Sequence, residues 1–150
     1  MKTKDLFMVL NKQSFLTLGL LTLAITPLTH CLRGATTQIS TEINASNFDK
    51  EVLQSELPVI VKVSATWCPP CQKLKPLFEQ VAQTFQGQCT FCSMDYDKNV
   101  AFAEKNHIDT IPTFMIYNQG KLLAVKPYSS SGLQALEKFV QEILNRIAQS

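Results

Sequence analysis

The sequence predicts an α/β domain with a mixed central sheet and helices on both faces. Three observations carry this. The run "LPVIVKVSA" (Leu57 to Ala65) is apolar, β-branched and of strand length, interrupted by Lys62, as suits a central strand buried on both faces. The segment that follows repeats Leu74, Leu77, Phe78, Val81, Ala82 and Phe85 at spacings of three and four, the period of a helix. Strand–helix alternation then gives way to a hairpin and a closing helix. The predicted order is β-α-β-α-β-α-β-β-α, which combines crossover connections with an antiparallel pair.

In chain order, "TTQISTEI" (Thr36 to Ile43) alternates loosely and reads as a strand. In "NASNFDKEVLQSE", Ser46 stands three residues before Asp49, close to a capping box, and Phe48, Val52 and Leu53 fall at helical spacing. After the central strand, the helix from Cys68 contains Pro76, which predicts a kink, and ends at Gly87. "CTFCSMDYD" reads as the third strand and "NVAFAEKNH" as a short helix. "TFMIYNQGKLLAV" is a hairpin turning at Asn118-Gln119-Gly120. The last helix carries a stripe of Leu133, Leu136, Phe139, Val140, Ile143 and Ile147.

The 150 residues are the length of one domain, expected over 36–150, with no linker or internal repeat. The formal charge of +2 resides at the start: residues 32–150 hold eleven Lys/Arg and eleven Asp/Glu, whereas Lys2, Lys4 and Lys12 outnumber Asp5. A neutral body argues against nucleic acid or an anionic membrane as the main partner. Residues 1–31 read as a leader. Their apolar stretch, Phe15 to Leu28, has the length of a signal-peptide core and is short for the roughly 20 residues that span a bilayer. "LTHC" (Leu28 to Cys31) is similar to a bacterial lipobox, with His30 in place of the small residue expected before the cysteine. Lipidation of Cys31, plain secretion and an uncleaved anchor all stay open. Export would place the body where disulfides persist.

Four further cysteines form two Cys-x-x-Cys pairs. Cys68 sits where strand gives way to helix. The first helical turn offers unpaired N–H groups and the positive end of the macrodipole, so a thiolate there is stabilised. Cys71 lies on the same side of that turn and can close a disulfide, while Pro69 and Pro70 lose little by lacking N–H groups and stiffen the loop. Cys89 and Cys92 have the same spacing on a strand, where their Cα atoms would be about 10 Å apart and their side chains on opposite faces. A disulfide needs under about 7 Å, so this second pair reads as buried packing. Metal binding is the rival for Cys68 and Cys71. A structural zinc site wants four ligands, and the other candidates are the strand cysteines and His107 at a helix end.

"SATWCPPC" (Ser64 to Cys71) resembles the active-site loop of the thioredoxin family, and "TIPTFMIYNQGK" (Thr110 to Lys121) resembles the segment bearing that family's cis-proline. The resemblance spans 36–150, includes Pro76, and implies a thioredoxin fold. It implies that Cys68 is an exposed nucleophile that attacks a substrate disulfide and that Cys71 is the buried thiol that releases the substrate. Pro112 would be the cis-proline facing both sulfurs, the backbone at Ile111 would pair with an extended substrate, and Trp67 would shield the loop and help form the docking surface. One departure is plain. The family usually has a buried Asp six residues before the first cysteine, as proton acceptor for the second, and a Lys partner on the next strand; here these positions are Lys62 and Ser93. Lys62 either snorkels to solvent or stays near the thiols, where a buried ammonium would favour thiolate and a more oxidising pair.

The expectation is therefore an exported, periplasmic protein-disulfide oxidoreductase, anchored through its leader or a lipidated Cys31 if either is retained. It would need no cofactor beyond the Cys68–Cys71 pair. Reductase or isomerase is the favoured direction; a disulfide oxidase and a non-catalytic binding module are the alternatives. Its partners would be substrate proteins with thiols or disulfides and a membrane or thioredoxin-type electron donor, with the chain itself a monomer.

Overall fold

The computed structural model describes residues 38–130 and 132–150. Cys31 and the leader, with the expected leader–domain boundary, lie outside the described residues. The described chain forms β1 (Thr41–Ile43), a single wide helical turn (Asp49–Leu53), β2 (Val59–Ser64), α1 (Pro69–Thr84) and β3 (Thr90–Asp95). A short 3-10 turn (Asp97–Asn99) then leads into α2 (Val100–Lys105), followed by β4 (Thr113–Asn118), β5 (Lys121–Pro127) and α3 (Leu133–Ala148). The strands lie in the order β1-β3-β2-β4-β5. β1 and β2 run parallel to β3, while β4 is antiparallel to both β2 and β5, so the sheet is mixed, as the sequence predicts.

The alternation of β2 divides the core. Ile60 packs on one face with Phe91 and Phe114, against Leu74, Phe78 and Val81 of α1 and Leu136 and Val140 of α3. Val59, Val61 and Val63 pack on the other, with Phe48 just before the wide turn, Val52 within it and Ala103 of α2. Phe114 is the hub of the first face: its ring stacks on Phe78 at 5.7 Å and on Phe139 at 5.3 Å, and meets Tyr128 edge-on at 5.0 Å. α1 continues through Pro76, which is exposed on the outer side of the helix.

Two local expectations need correction. Ser46 does not cap a helix with Asp49. Asn44 Oδ1 instead accepts from the Ser46 backbone N–H at 2.8 Å and the Ser46 hydroxyl at 2.6 Å, and Asn47 Oδ1 accepts from the Asn44 N–H at 2.8 Å. These short polar side chains satisfy the turn themselves, so the helical turn begins after Phe48 with no side-chain cap. Of the three apolar residues at helical spacing, Phe48 and Val52 are buried and Leu53 is exposed. The hairpin is also tighter than its Asn118-Gln119-Gly120 signal: Asn118 pairs with Lys121, leaving Gln119 and Gly120 as a two-residue turn with φ of 49° and 74°. Both angles are those of a type I′ turn, which matches the twist of the strands it joins. Gly120 has a second reason to be glycine, because an added Cβ would lie 2.7 Å from the Leu53 carbonyl oxygen.

The second cysteine pair is split by the sheet. Cys89, just before β3, packs on the α1–α3 side, and Cys92, within β3, packs on the α2 side; both are buried and free. Burial pushes each thiol up to about 12, with the negative charge of Glu51 adding to the effect at Cys92. At pH 8 such thiols are ionised to roughly one part in ten thousand. Peptide mapping after iodoacetamide treatment of the folded, reduced protein should therefore find Cys89 and Cys92 unlabelled, and labelled once denaturant is added. Gly120→Ala should lower unfolding free energy by about 2 kcal/mol through its positive φ alone, and by more through the Leu53 contact, as a denaturant titration would read.

Candidate active site

β2 delivers the chain to the edge of the core, and α1 begins at once. Cys68 is the residue before the first helical turn, with extended φ and ψ of −86° and 109°, and the Cys71 backbone N–H donates to its sulfur at 3.3 Å. The cysteine thus does the work of a side-chain cap. Pro69 and Pro70, both exposed, occupy the first two helical positions, where their missing N–H groups remove two donors that a helix start leaves unpaired. Cys68 and Cys71 are joined as a disulfide with their Cα atoms 5.2 Å apart, within the range that such a bond requires.

From the other side of the sheet end comes the loop before β4. The Ile111–Pro112 bond is cis, Pro112 is buried, and the Ile111 carbonyl oxygen lies 3.9 Å from Cys68 Sγ. Ala65 packs against both cysteines, and Tyr96 and Ile111 close over them. The expectation of an exposed Cys68 is corrected here: Cys68 and Cys71 are each 3% exposed in the disulfide form, because the sulfur of the first is covered by this packing. The exposed member of the loop is Trp67, at 62%, whose indole N–H donates to the Asp97 carboxylate at 2.9 Å. The indole is thus held at its edge by a hydrogen bond and is not a core residue.

Beneath the disulfide the structure decides between the two readings of Lys62. The side chain does not reach solvent. It is 3% exposed, points to the α1 side of β2, and holds Nζ 4.5 Å from the centre of the Phe78 ring. Burial pulls its ammonium down from 10.5 to about 8, the neighbouring Lys75 contributing to the fall and the Glu79 carboxylate opposing it. Glu79, on α1, was not singled out from the sequence. Its carboxylate accepts from the backbone N–H groups of Ile39 at 2.7 Å and Ser40 at 2.9 Å, and from the Ser40 hydroxyl at 2.5 Å. Burial alone would raise the Glu79 carboxyl, but those three hydrogen bonds and the charge of Lys62 hold it below the usual carboxylate range. Ser93, opposite Lys62 in the β2–β3 register, is 3.1 Å from Ser40 through the two hydroxyl oxygens. The sequence held one signal for this network: Glu79 is the sole acidic residue of α1 and falls within its apolar stripe.

Lys62, Glu79, Ser93 and Cys71 line a common cavity of about 380 Å³ beside the disulfide. His107, the other ligand considered for a metal, is an exposed residue with φ of 56° just past α2. Among the described residues no cluster of three or more His, Cys, Asp or Glu side chains is placed to hold a metal ion.

Comparison with known proteins agrees with the geometry. The family model described as Thioredoxin matches residues 39–144. The thioredoxin of Rickettsia bellii is 30% identical over 109 residues, covering 73% of this chain and 100% of that protein. The thioredoxin of Pseudomonas aeruginosa is 32% identical over 84 residues, covering 56% of this chain and 78% of its own length. Chloroplastic thioredoxin Y of Oryza sativa subsp. japonica is 34% identical over 90 residues, with 59% and 54% covered.

The burial of Lys62 has a consequence for stability. In the unfolded chain its amine keeps the ordinary value near 10.5, whereas in the folded chain it releases its proton near 8. Between these values the unfolded state binds more protons, so folding grows more favourable as pH rises through the window, by on the order of 3 kcal/mol in all. Lys62→Met removes this dependence. Denaturant titrations should show the stability difference between Lys62→Met and wild type moving in favour of wild type from pH 8 to pH 10.5; a difference independent of pH would contradict the burial.

Proposed function

Because the chain belongs to the thioredoxin family and is accordingly a thiol–disulfide oxidoreductase working through its own cysteine pair without a cofactor, we propose that it reduces or isomerises protein disulfides through Cys68 and Cys71 in an exported, periplasm-like setting. The observation that carries this reading is the disulfide at the start of α1, with Cys68 as helix cap and the Ile111 carbonyl beside its sulfur. In the reduced pair, Cys68 would be the attacking group: as a thiolate it would keep the Cys71 N–H and the helix dipole as stabilising partners. Attack on a substrate disulfide joins the substrate to Cys68. Cys71 then attacks Cys68 Sγ and releases the substrate as a thiol, leaving the enzyme oxidised.

The 3% exposure of Cys68 sets a condition on this chemistry. The sulfur is covered by Ala65, Tyr96 and Ile111, so a substrate has to reach it past that cover. An extended peptide would meet that condition by pairing with the backbone at Ile111 while its own sulfur meets Cys68, a strand-like mode of recognition. Trp67, Pro69 and Pro70, all exposed, would supply the apolar floor for that peptide.

A disulfide oxidase is the second reading, favoured by Lys62, since a buried ammonium near the pair would stabilise the thiolate form and raise the potential. Glu79 weakens that case, because its carboxylate opposes the ammonium inside the same cavity. The setting rests on the leader pattern of residues 1–31, with lipidation of Cys31 as one way of holding the domain at a membrane. A reductase there would draw electrons from a membrane or thioredoxin-type partner.

Cys71→Ser tests the assignment of roles. Incubated with a disulfide-containing protein, it should accumulate a mixed disulfide mapped to Cys68, and Cys68→Ser should accumulate none; the absence of any Cys68 adduct would sink the enzymatic reading. A glutathione redox titration of the wild type then ranks direction, a potential near that of thioredoxin marking a reductase, one about 90 mV higher an isomerase and one about 150 mV higher an oxidase.

A further inference from the structure

Lys62 is the most buried charged side chain lining the cavity of about 380 Å³. An ammonium carries three N–H donors. Among the described residues Lys62 Nζ donates to no protein oxygen or nitrogen and stands in no ion pair; the Phe78 ring, 4.5 Å away, occupies one side of it. Nor is Nζ sealed in. The Tyr128 hydroxyl is the only fully buried side-chain polar atom without a partner among the described residues, so Nζ reaches open space, and the open space that Lys62 lines is this cavity.

The carboxylates around the cavity are engaged elsewhere. Lys98, from the 3-10 turn, lies 3.8 Å from the carboxylate of Glu42 on β1 and 4.0 Å from that of Asp95 on β3. Asp95 also accepts from the backbone N–H groups of Asp97 at 2.9 Å and Lys98 at 3.2 Å. Glu79, on α1, gives its oxygens to the three hydrogen bonds from Ile39 and Ser40. Lys75, also on α1, is exposed and free of ion pairs among the described residues. Burial, and the charge of Lys75 with it, pull the Lys62 ammonium down to about 8, so the two cations act on one another. Around Nζ there are thus two cations, Lys62 and Lys75, against the single carboxylate of Glu79. Lys98, Glu42 and Asp95 neutralise one another on the more exposed side, where solvent screens them.

We propose that this cavity is a binding site for a small carboxylate anion, seated on the Lys62 ammonium with Lys75 as the second cation. The ligand supplies the counter-charge and the hydrogen-bond acceptors that the protein withholds from a buried ammonium. Ser64 and Thr66 add hydroxyl donors to the same lining. A water takes roughly 30 Å³, so the space admits a ligand of several non-hydrogen atoms together with residual water. Neither Trp67, Pro69 and Pro70 nor Ile111 and Pro112 line it, which leaves the proposed substrate surface free when the anion is bound.

Acetate is the probe. The full-length protein, oxidised so that Cys68 and Cys71 carry no proton, is titrated with sodium acetate at constant ionic strength, and the Lys62 side chain is followed by NMR. At pH 6.5 its resonances should shift and saturate. A free amine holds no anion, so loss of the proton near 8 should make the apparent affinity at least about tenfold weaker at pH 9.5 than at pH 6.5. Lys75→Met should weaken binding about two- to fivefold, as removal of a solvent-exposed cation does. Lys62→Met should abolish the saturable shifts of the Thr66 and Gln72 amides. Shifts that grow without saturating in wild type would mean that water alone fills the cavity and would overturn the proposal. Saturable binding that survives Lys62→Met would place the anion elsewhere and overturn it too. Equal affinity at pH 6.5 and pH 9.5 in wild type would overturn it even if Lys62→Met failed to fold. No arm uses the redox reaction, so the result is independent of the roles given to Cys68 and Cys71.

Discussion

Strand β2 lies between a parallel neighbour, β3, and an antiparallel one, β4, and this position assembles the site. Because β4 runs opposite to β2, its first residue, Thr113, pairs with Val63 near the last residue of β2. The residues just before β4 and just after β2 therefore meet at one end of the sheet. Ile111 and Pro112 belong to the first group and Cys68 to the second, and the 3.9 Å between Cys68 Sγ and the Ile111 oxygen follows from the register. The hydrophobic faces on either side of β2 hold that register, since a slip of one residue would exchange Ile60 with Val61 and turn the side chain of Lys62 to the opposite face.

The same strand end starts α1, and structural and chemical needs coincide there. A helix start leaves four backbone N–H groups without partners. Two proline residues remove two of them, and Cys68 Sγ accepts a third, from Cys71. A side-chain cap of this kind contributes about 1 kcal/mol to a helix. The interaction that caps the helix is also the one that would hold a thiolate, so reducing the pair leaves the capping atom in place and gives it charge where the dipole favours it.

Most of this was legible in the sequence, and the parts that were not share a cause. Long apolar periods fixed β2, α1, β4 and α3, because burial over many residues outweighs local preference. The separation of Cys89 from Cys92 is the one strand alternation predicts, although Cys89 lies one residue before β3. The helical turn after Asn44 forms, but without the expected cap, because Ser46 has a nearer acceptor in Asn44, and a choice among neighbouring polar groups leaves no periodic trace. Cys68 was expected to be exposed because its cover, Tyr96 and Ile111, comes from distant segments. Glu79 was missed for the same reason: its partners, Ile39, Ser40 and Lys62, lie 40, 39 and 17 positions earlier in the chain, joined only by the sheet and the packing of α1.

The Lys62–Glu79 arrangement explains how a charge is kept in a strand that is otherwise apolar. An isolated ammonium at this depth would cost several kcal/mol in lost hydration. The Phe78 ring face recovers part of that, and Glu79 recovers more without forming a close ion pair, because its oxygens are turned to Ile39 and Ser40. That geometry matters for the cysteines. A carboxylate pinned by three hydrogen bonds stays charged and stationary, so from the disulfide the two side chains resemble a fixed dipole more than a single positive charge. The field of a dipole falls off faster with distance than that of a lone charge. A solitary ammonium beside the pair would favour the dithiolate; Glu79, lining the same cavity as Lys62 and Cys71, sets an opposite charge against it.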